Sequence, residues 1–175
     1  MELERLLPLL LGTAWLLPLA ALAVNVLVGP RLGRHGRGAG FLSTAAIGAG
    51  FVLSVAALGF WLGHHRIAVG HAAEHAAPTP AVSGDWYVLA QFDTLRLSIG
   101  YYIDSLTLAM FVMVTLVATC IHVYSFGYMH EELHDVSDPL APLADGSPLV
   151  RRGRFARFYQ YLSLFSFSKI GRAHV

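Results

Sequence analysis

Three stretches of this chain carry no Asp, Glu, Lys or Arg: Leu6–Val28, Phe41–Leu62 and Ser105–Phe126, of 23, 22 and 22 residues. A bilayer hydrocarbon core of about 30 Å is crossed by roughly 20 helical residues rising about 1.5 Å each. Each run therefore matches one crossing. Lipid offers the backbone no hydrogen-bond partner, so an uninterrupted apolar run of this length must satisfy its amides internally as a helix. Composition agrees: 13% of residues are charged and 55% hydrophobic, against about 25% charged in a soluble domain. The fold class predicted is an all-α polytopic membrane protein.

The first run does not read as a cleaved leader. Glu2 and Glu4 precede it instead of a basic segment, and it is longer than the 7–15 apolar residues a leader typically carries. Pro18 falls mid-span, where neighbouring helices tolerate a kink. The net charge of +1 supplies no basic excess for nucleic acid, so the expected environment is the lipid bilayer and other membrane polypeptides. Cys120 stands alone and forms no internal disulfide.

Arginines near the span ends set the expected orientation. Arg31, Arg34 and Arg37 occupy the first connector, and Arg151, Arg152, Arg154 and Arg157 follow the third run. The second connector has only Arg66 and Arg96, beside Glu74, Asp85 and Asp93, and Arg5 stands against Glu2 and Glu4. The alternation predicts an N-terminus outside, Arg31–Arg37 cytoplasmic, Ala68–Tyr102 outside and Gly127–Arg157 cytoplasmic.

The outer connector divides in two. His64–Gly84 is rich in Ala, His and Pro and reads as a loop. Beyond it, Leu95, Leu97, Ile99 and Tyr101 alternate with Arg96, Ser98 and Gly100, the period of a half-buried strand. Trp86–Leu89 is its expected partner across Asp93-Thr94, giving a short β-hairpin on the outer face.

A fourth apolar run starts at Phe158 and gives way after Ser168 to Lys169-Ile-Gly-Arg-Ala-His-Val175. Eleven residues are too few for a crossing, and native helices avoid Lys and Arg at mid-membrane. Ile170–Val175 is also what ATC GGA AGA GCA CAC GTC encodes, a string within a common sequencing adapter whose preceding AG suits a lysine codon. The expectation is three complete helices and a truncated fourth over residues 1–168, with Lys169–Val175 as adapter read-through, which fold reasoning sets aside.

Three segments carry a resemblance. Gly100-Tyr-Tyr-Ile-Asp-Ser-Leu-Thr-Leu-Ala-Met110 opens the third span, His122-Val-Tyr-Ser-Phe-Gly-Tyr-Met129 closes it, and Arg154-Phe-Ala-Arg-Phe-Tyr-Gln-Tyr-Leu-Ser-Leu-Phe165 opens the fourth. In order and spacing they resemble the N-terminal region of the antiporter-like subunits of respiratory complex I, most of all subunit L, called chain 5 in mitochondria. The loop His130–Arg151 is longer here than in that pattern. The resemblance implies a proton-translocating subunit of NADH:quinone oxidoreductase that assembles with the complex's other membrane subunits. Relatives include subunits of cation/proton antiporters, membrane hydrogenases and a bicarbonate-uptake system, and these form the alternative reading. The family's proton carriers, a glutamate on the fifth helix and lysines on later ones, lie beyond this chain. Flavin, iron–sulfur and quinone sites belong to other subunits. The resemblance implies no catalytic residue, cofactor or metal here, and no activity for the chain by itself.

Four positions within the motifs remain as candidates. Asp104 at the outer start of the third span suits a helix cap and offers an exit-side carboxylate. His122, one turn inside the inner end, suits a helix-packing hydrogen bond or a proton relay. Tyr124 and Tyr128 suit an interfacial aromatic belt, with Phe155, Phe158, Tyr159 and Tyr161 at the same depth on the next helix.

Other patterns are weaker. His130-Glu131-Glu132-Leu133-His134 fits H-E-x-x-H, a zinc-protease motif that needs a helix and a third ligand. His64, His65, His71 and His75 lack a rigid scaffold for a metal. Gly29, Gly33, Gly36, Gly38 and Gly40 fit a tight basic turn at the lipid surface. Ala45, Ala49, Ala56, Gly59 and Gly63 suit close helix packing.

Overall fold

The computed structural model describes residues 2–28, 36–64, 81–92, 95–142 and 147–171. Helices α1 (Glu2–Val28), α2 (Arg37–His64) and α3 (Ser105–Tyr128) are the three apolar runs, each extended by a few residues. All three are long and apolar enough to cross a membrane. Helix α4 spans Phe155–Gly171, starting three residues earlier than the apolar pattern suggests and continuing through Lys169. At 17 residues it is shorter than the roughly 20 a crossing needs.

Helix α1 packs on α2 and α4, and α2 and α4 both meet α3. The buried residues trace one stripe per helix at the helical period. On α1 they are Leu7, Leu11, Ala14, Pro18, Ala21 and Asn25; on α2, Ser43, Ile47, Gly50, Ser54, Ala57 and Trp61. Helix α3 contributes Leu108, Phe111, Thr115, His122 and Ser125, and α4 Phe155, Tyr159, Ser163, Ser166 and Ile170. Ala45, Ala49, Gly59 and Gly63 lie on the exposed side of α2. The close approach occurs elsewhere, where Gly50 meets the Ala14 carbonyl.

Each helix pair is stitched by polar groups inside the bundle. Asn25 Nδ2 donates to Ser43 Oγ at 2.7 Å and to the Ala39 carbonyl at 3.3 Å. Ser163 Oγ donates to Ser43 Oγ at 2.9 Å, and Gln160 Nε2 to the Asn25 carbonyl at 2.8 Å. Ser54 and Thr115 hydroxyls meet at 3.0 Å, and Tyr159 donates to the His122 carbonyl at 3.0 Å. These contacts place the C-terminal ends of α1 and α3 beside the N-terminal ends of α2 and α4. Phe41, Phe126, Phe155 and Tyr159 close that end, with ring centroids 4.7 Å, 5.7 Å and 5.0 Å apart in successive pairs.

The predicted hairpin is present: β1 (Val82–Phe92) pairs antiparallel with β2 (Leu95–Ile103). Its turn residues Asp93 and Thr94 lie outside the described residues. A register shift between Asp85 and Tyr87 leaves Trp86 unpaired, and a bulge of this kind re-aims a side chain. The Trp86 ring sits over Gly12 of α1 and against Trp15, at 6.4 Å between centroids. Trp15 in turn stacks on Phe167 of α4 at 5.1 Å. Strand β2 passes into α3 through Asp104 alone.

A second hairpin, β3 (Val136–Pro142) with β4 (Pro148–Arg151), occupies what the sequence reads as a plain loop. Its prolines disguise it, yet a two-stranded ribbon has only edge strands, where proline is tolerated.

Replacing Asn25 with Ala removes the donor that ties α1 to α2 and leaves Ser43 with Ser163 as its remaining partner. The expected loss is about 1–2 kcal/mol, measured as a lowered midpoint of reversible SDS unfolding. Leu16→Ala, on the exposed side of α1, should move it far less.

Candidate functional site

Asp104 terminates the extended backbone of β2 with φ −124° and accepts from the Thr107 amide at 2.7 Å. That hydrogen bond, the largest influence, holds its carboxyl below the usual carboxylate range. The group is a helix N-cap, satisfying one of the four amides a helix start leaves open.

His122 lies about 18 residues along α3 and is buried. Its Nδ1 is 2.8 Å from the Ala118 carbonyl, so Nδ1 donates to its own helix one turn back. The ring tilts against Tyr159 at 6.1 Å. Tyr124 and Tyr128 stack on each other at 6.5 Å with 74% and 72% of their surface exposed, as residues of an interfacial belt would be. The four motif residues therefore form no common cluster. Phe155 and Tyr159 differ from the belt expectation: both are buried against α3 in a small core with Met129 and Leu133, while Tyr161 is exposed.

The H-E-x-x-H segment is not an α-helix. Glu131–Leu133 form a single 3-10 turn, and His134 is extended at φ −112°. The two imidazoles thus lack the shared helical face that zinc ligation at this spacing needs. His130 Nε2 instead meets Arg37 Nη2 at 3.3 Å. Among the described residues no group of three His, Cys, Asp or Glu side chains converges. His65, His71 and His75 lie outside the described residues, as do Gly29, Gly33, Arg31 and Arg34. Gly36 is described, and its φ of 80° requires glycine just before α2.

Glu132 has a structural partner that sequence inspection misses. It accepts two hydrogen bonds from Arg151, at 2.8 Å and 2.5 Å, and a third from the Arg154 amide at 3.0 Å. The turn after α3 is thereby clasped to the end of β4 and the start of α4. Gly153 lies so close that a Cβ there would strike the Glu132 carbonyl. The Arg151 guanidinium holds the Glu132 carboxyl at about 2. No local signal marks this pair, because the partners are 19 residues apart across a hairpin that is itself hidden.

The chain's similarity to known proteins falls on these same elements. The family model described as NADH-Ubiquinone oxidoreductase (complex I), chain 5 N-terminus, matches residues 86–135, from the bulge of β1 to the turn after α3. The chloroplastic NAD(P)H-quinone oxidoreductase subunit 5 of Nephroselmis olivacea is 32% identical over 164 residues, covering 90% of this chain and 20% of that relative. NADH-quinone oxidoreductase subunit L of Neisseria meningitidis serogroup A is 28% identical over 155 residues, covering 89% of this chain and 18% of the relative. The chain is homologous to the N-terminal region of subunit L/chain 5. A third member, from Chaetosphaeridium globosum, reaches 42% identity over 77 residues, or 44% of this chain and 8% of that relative. The chain spans about a fifth of the length of the first two subunits. The matched region of this antiporter-like family holds Asp104, His122, Tyr124 and Tyr128 together with the turn that carries Glu132.

The clasp has a pH signature. Because the folded carboxyl sits at about 2 against an ordinary 4.5, its stabilisation is fully present above about 4.5 and fades as pH falls toward 2. Asp104 shifts in the same direction, so Glu132→Gln should reduce the acid dependence without abolishing it. At neutral pH the variant should lose on the order of 1 kcal/mol, since solvent screens the partly exposed arginine. Thermal unfolding in detergent from pH 7 to pH 2, compared with the parent, measures both.

Proposed function

We propose that this chain is the N-terminal part of a proton-translocating membrane subunit of an NADH:quinone oxidoreductase. Its parent couples quinone reduction to proton transport. Collinear similarity to subunit L and subunit 5 over nine-tenths of the chain carries the reading. The contribution of this part is architectural. Asp104 caps, His122 packs, and Tyr124 and Tyr128 face outward. The exposed apolar side of α3, from Leu106 through Met113 to Val123, faces lipid or other membrane helices of the complex.

The proposed placement is a multi-pass inner-membrane protein with its N-terminus outside. Arg31–Arg37 and Gly127–Arg157 face the cytoplasm. The pairing of Arg37 with His130 supports a common side for these two segments, and the abundance of arginine there supports the cytoplasm.

Two measurements test the proposal. Purified through an affinity tag on the native gene, the protein should bring down NADH dehydrogenase subunits and NADH:quinone activity. Co-purification with the subunits of a cation/proton antiporter, a hydrogenase or a bicarbonate-uptake complex instead would sink it. For orientation, Cys120→Ser with single cysteines at Arg34, Arg152 or Asp85 is treated in intact cells with an impermeant maleimide. Only the cysteine at Asp85 should react; labelling of just one of the two arginine sites would break the three-crossing topology.

A further inference from the structure

Arg151, Arg152, Arg154 and Arg157 do more than mark one side of the membrane. With Gly36, Gly153 and the first turn of α4 they line a single concavity of about 720 Å³. Two carboxylates stand near them. Glu132 is committed to Arg151 through two hydrogen bonds, and Asp135 lines the same concavity. Among the described residues no ion pair engages Arg152, Arg154 or Arg157, and all three are exposed. The first turn of α4 carries no acidic residue, so its open amides add partial positive charge at the same place.

We infer that this concavity binds the phosphate of an anionic phospholipid. Three guanidiniums outside any close ion pair, with Arg154 also feeling the Glu132 carboxylate, and a helix start are a recognition set for a phosphate monoanion, and guanidinium binds such oxygens in paired hydrogen bonds. The position selects a lipid over a soluble phosphate. The concavity opens where α3 leaves and α4 enters the bundle, and exposed Val26 and Leu27 of α1 and Tyr124 and Tyr128 of α3 reach the same end. Acyl chains would have apolar surface beside the headgroup site, and basic pockets between membrane helices bind anionic headgroups for this reason. The Glu132 clasp fixes Arg151 and the Arg154 backbone, so the site is held before lipid arrives. The inference rests on the pocket and not on membership in any complex.

Native mass spectrometry of the full chain in detergent micelles tests it, with phosphatidylglycerol and phosphatidylcholine offered in equal amounts. One phosphatidylglycerol should be retained with a preference of at least about tenfold, since each arginine contributes about fivefold. The triple variant R152Q/R154Q/R157Q should lose the preference, R152K/R154K/R157K should keep only the part that charge alone supplies, and R96Q on the outer hairpin should leave it unchanged. Equal retention of the two lipids by the parent chain would overturn the inference without any variant. So would an undiminished preference in the triple glutamine variant, or complete displacement of the lipid by excess inorganic phosphate. Co-purification of the parent complex reports on the functional proposal separately, so the two can fail independently.

Discussion

The bundle depends on small polar groups that lipid cannot satisfy. In water, Asn25, Ser43 and Ser163 would be indifferent surface residues. In hydrocarbon each is costly unless it finds a partner, and three helices converge to supply one. Ser43 sits at the centre, accepting from Asn25 of α1 and Ser163 of α4. Apolar surface could not fix this register, because a leucine facing lipid and a leucine facing another helix are nearly equivalent. The Ser54–Thr115 contact does the same for α2 and α3. One acceptor at the centre is still open, since Asn25 Oδ1 is buried without a partner.

The extramembrane pieces are tied to this bundle by short, stiff joints. Strand β2 becomes α3 across one residue, and that residue is the helix cap. The β1–β2 hairpin therefore cannot pivot without breaking the Asp104–Thr107 bond, and Trp86 pins its other strand to α1. At the opposite end Glu132 ties the turn after α3 to the start of α4. The two ends use different chemistry for one purpose: each shortens the path between an extramembrane ribbon and the helix that anchors it.

How far these features were legible depends on which physical rule left a trace in the sequence. The spans were readable because lipid demands about 20 consecutive apolar residues. The β1–β2 hairpin was readable from alternation in Leu95–Tyr101. Which face of each span turns inward is less legible, since nearly every residue is apolar. A signal existed all the same: Asn25, Ser43, Ser54, Thr115, Ser125 and Ser163 fall on the buried stripes, where the cost of polar groups in lipid requires them. The small residues Gly59 and Gly63 lie on the exposed face of α2, because small size permits close approach without demanding it inside this bundle. The β3–β4 hairpin was hidden by prolines, and with it the Glu132–Arg151 pair. The H-E-x-x-H spacing carries little information for a related reason: spacing has chemical meaning only within a helix, and here the helix ends at Tyr128.

His122 shows how a buried histidine is held in such a bundle. It is the only histidine in the three long charge-free runs, which by position alone argues for a role in proton movement. Its Nδ1 faces the Ala118 carbonyl and its ring lies against Tyr159, while Tyr159 binds the His122 carbonyl. A relay group must exchange its proton between two neighbours, one on each side. One ring nitrogen here is spent within its own helix, and Nδ1 can be released only by giving up a hydrogen bond in hydrocarbon. The side chain also borders a largely apolar groove with Met113, Val117, Leu162 and Phe165, in which Ser166 and Lys169 are the other polar residues. The contacts His122 makes within these four helices are those of a group packed between α3 and α4.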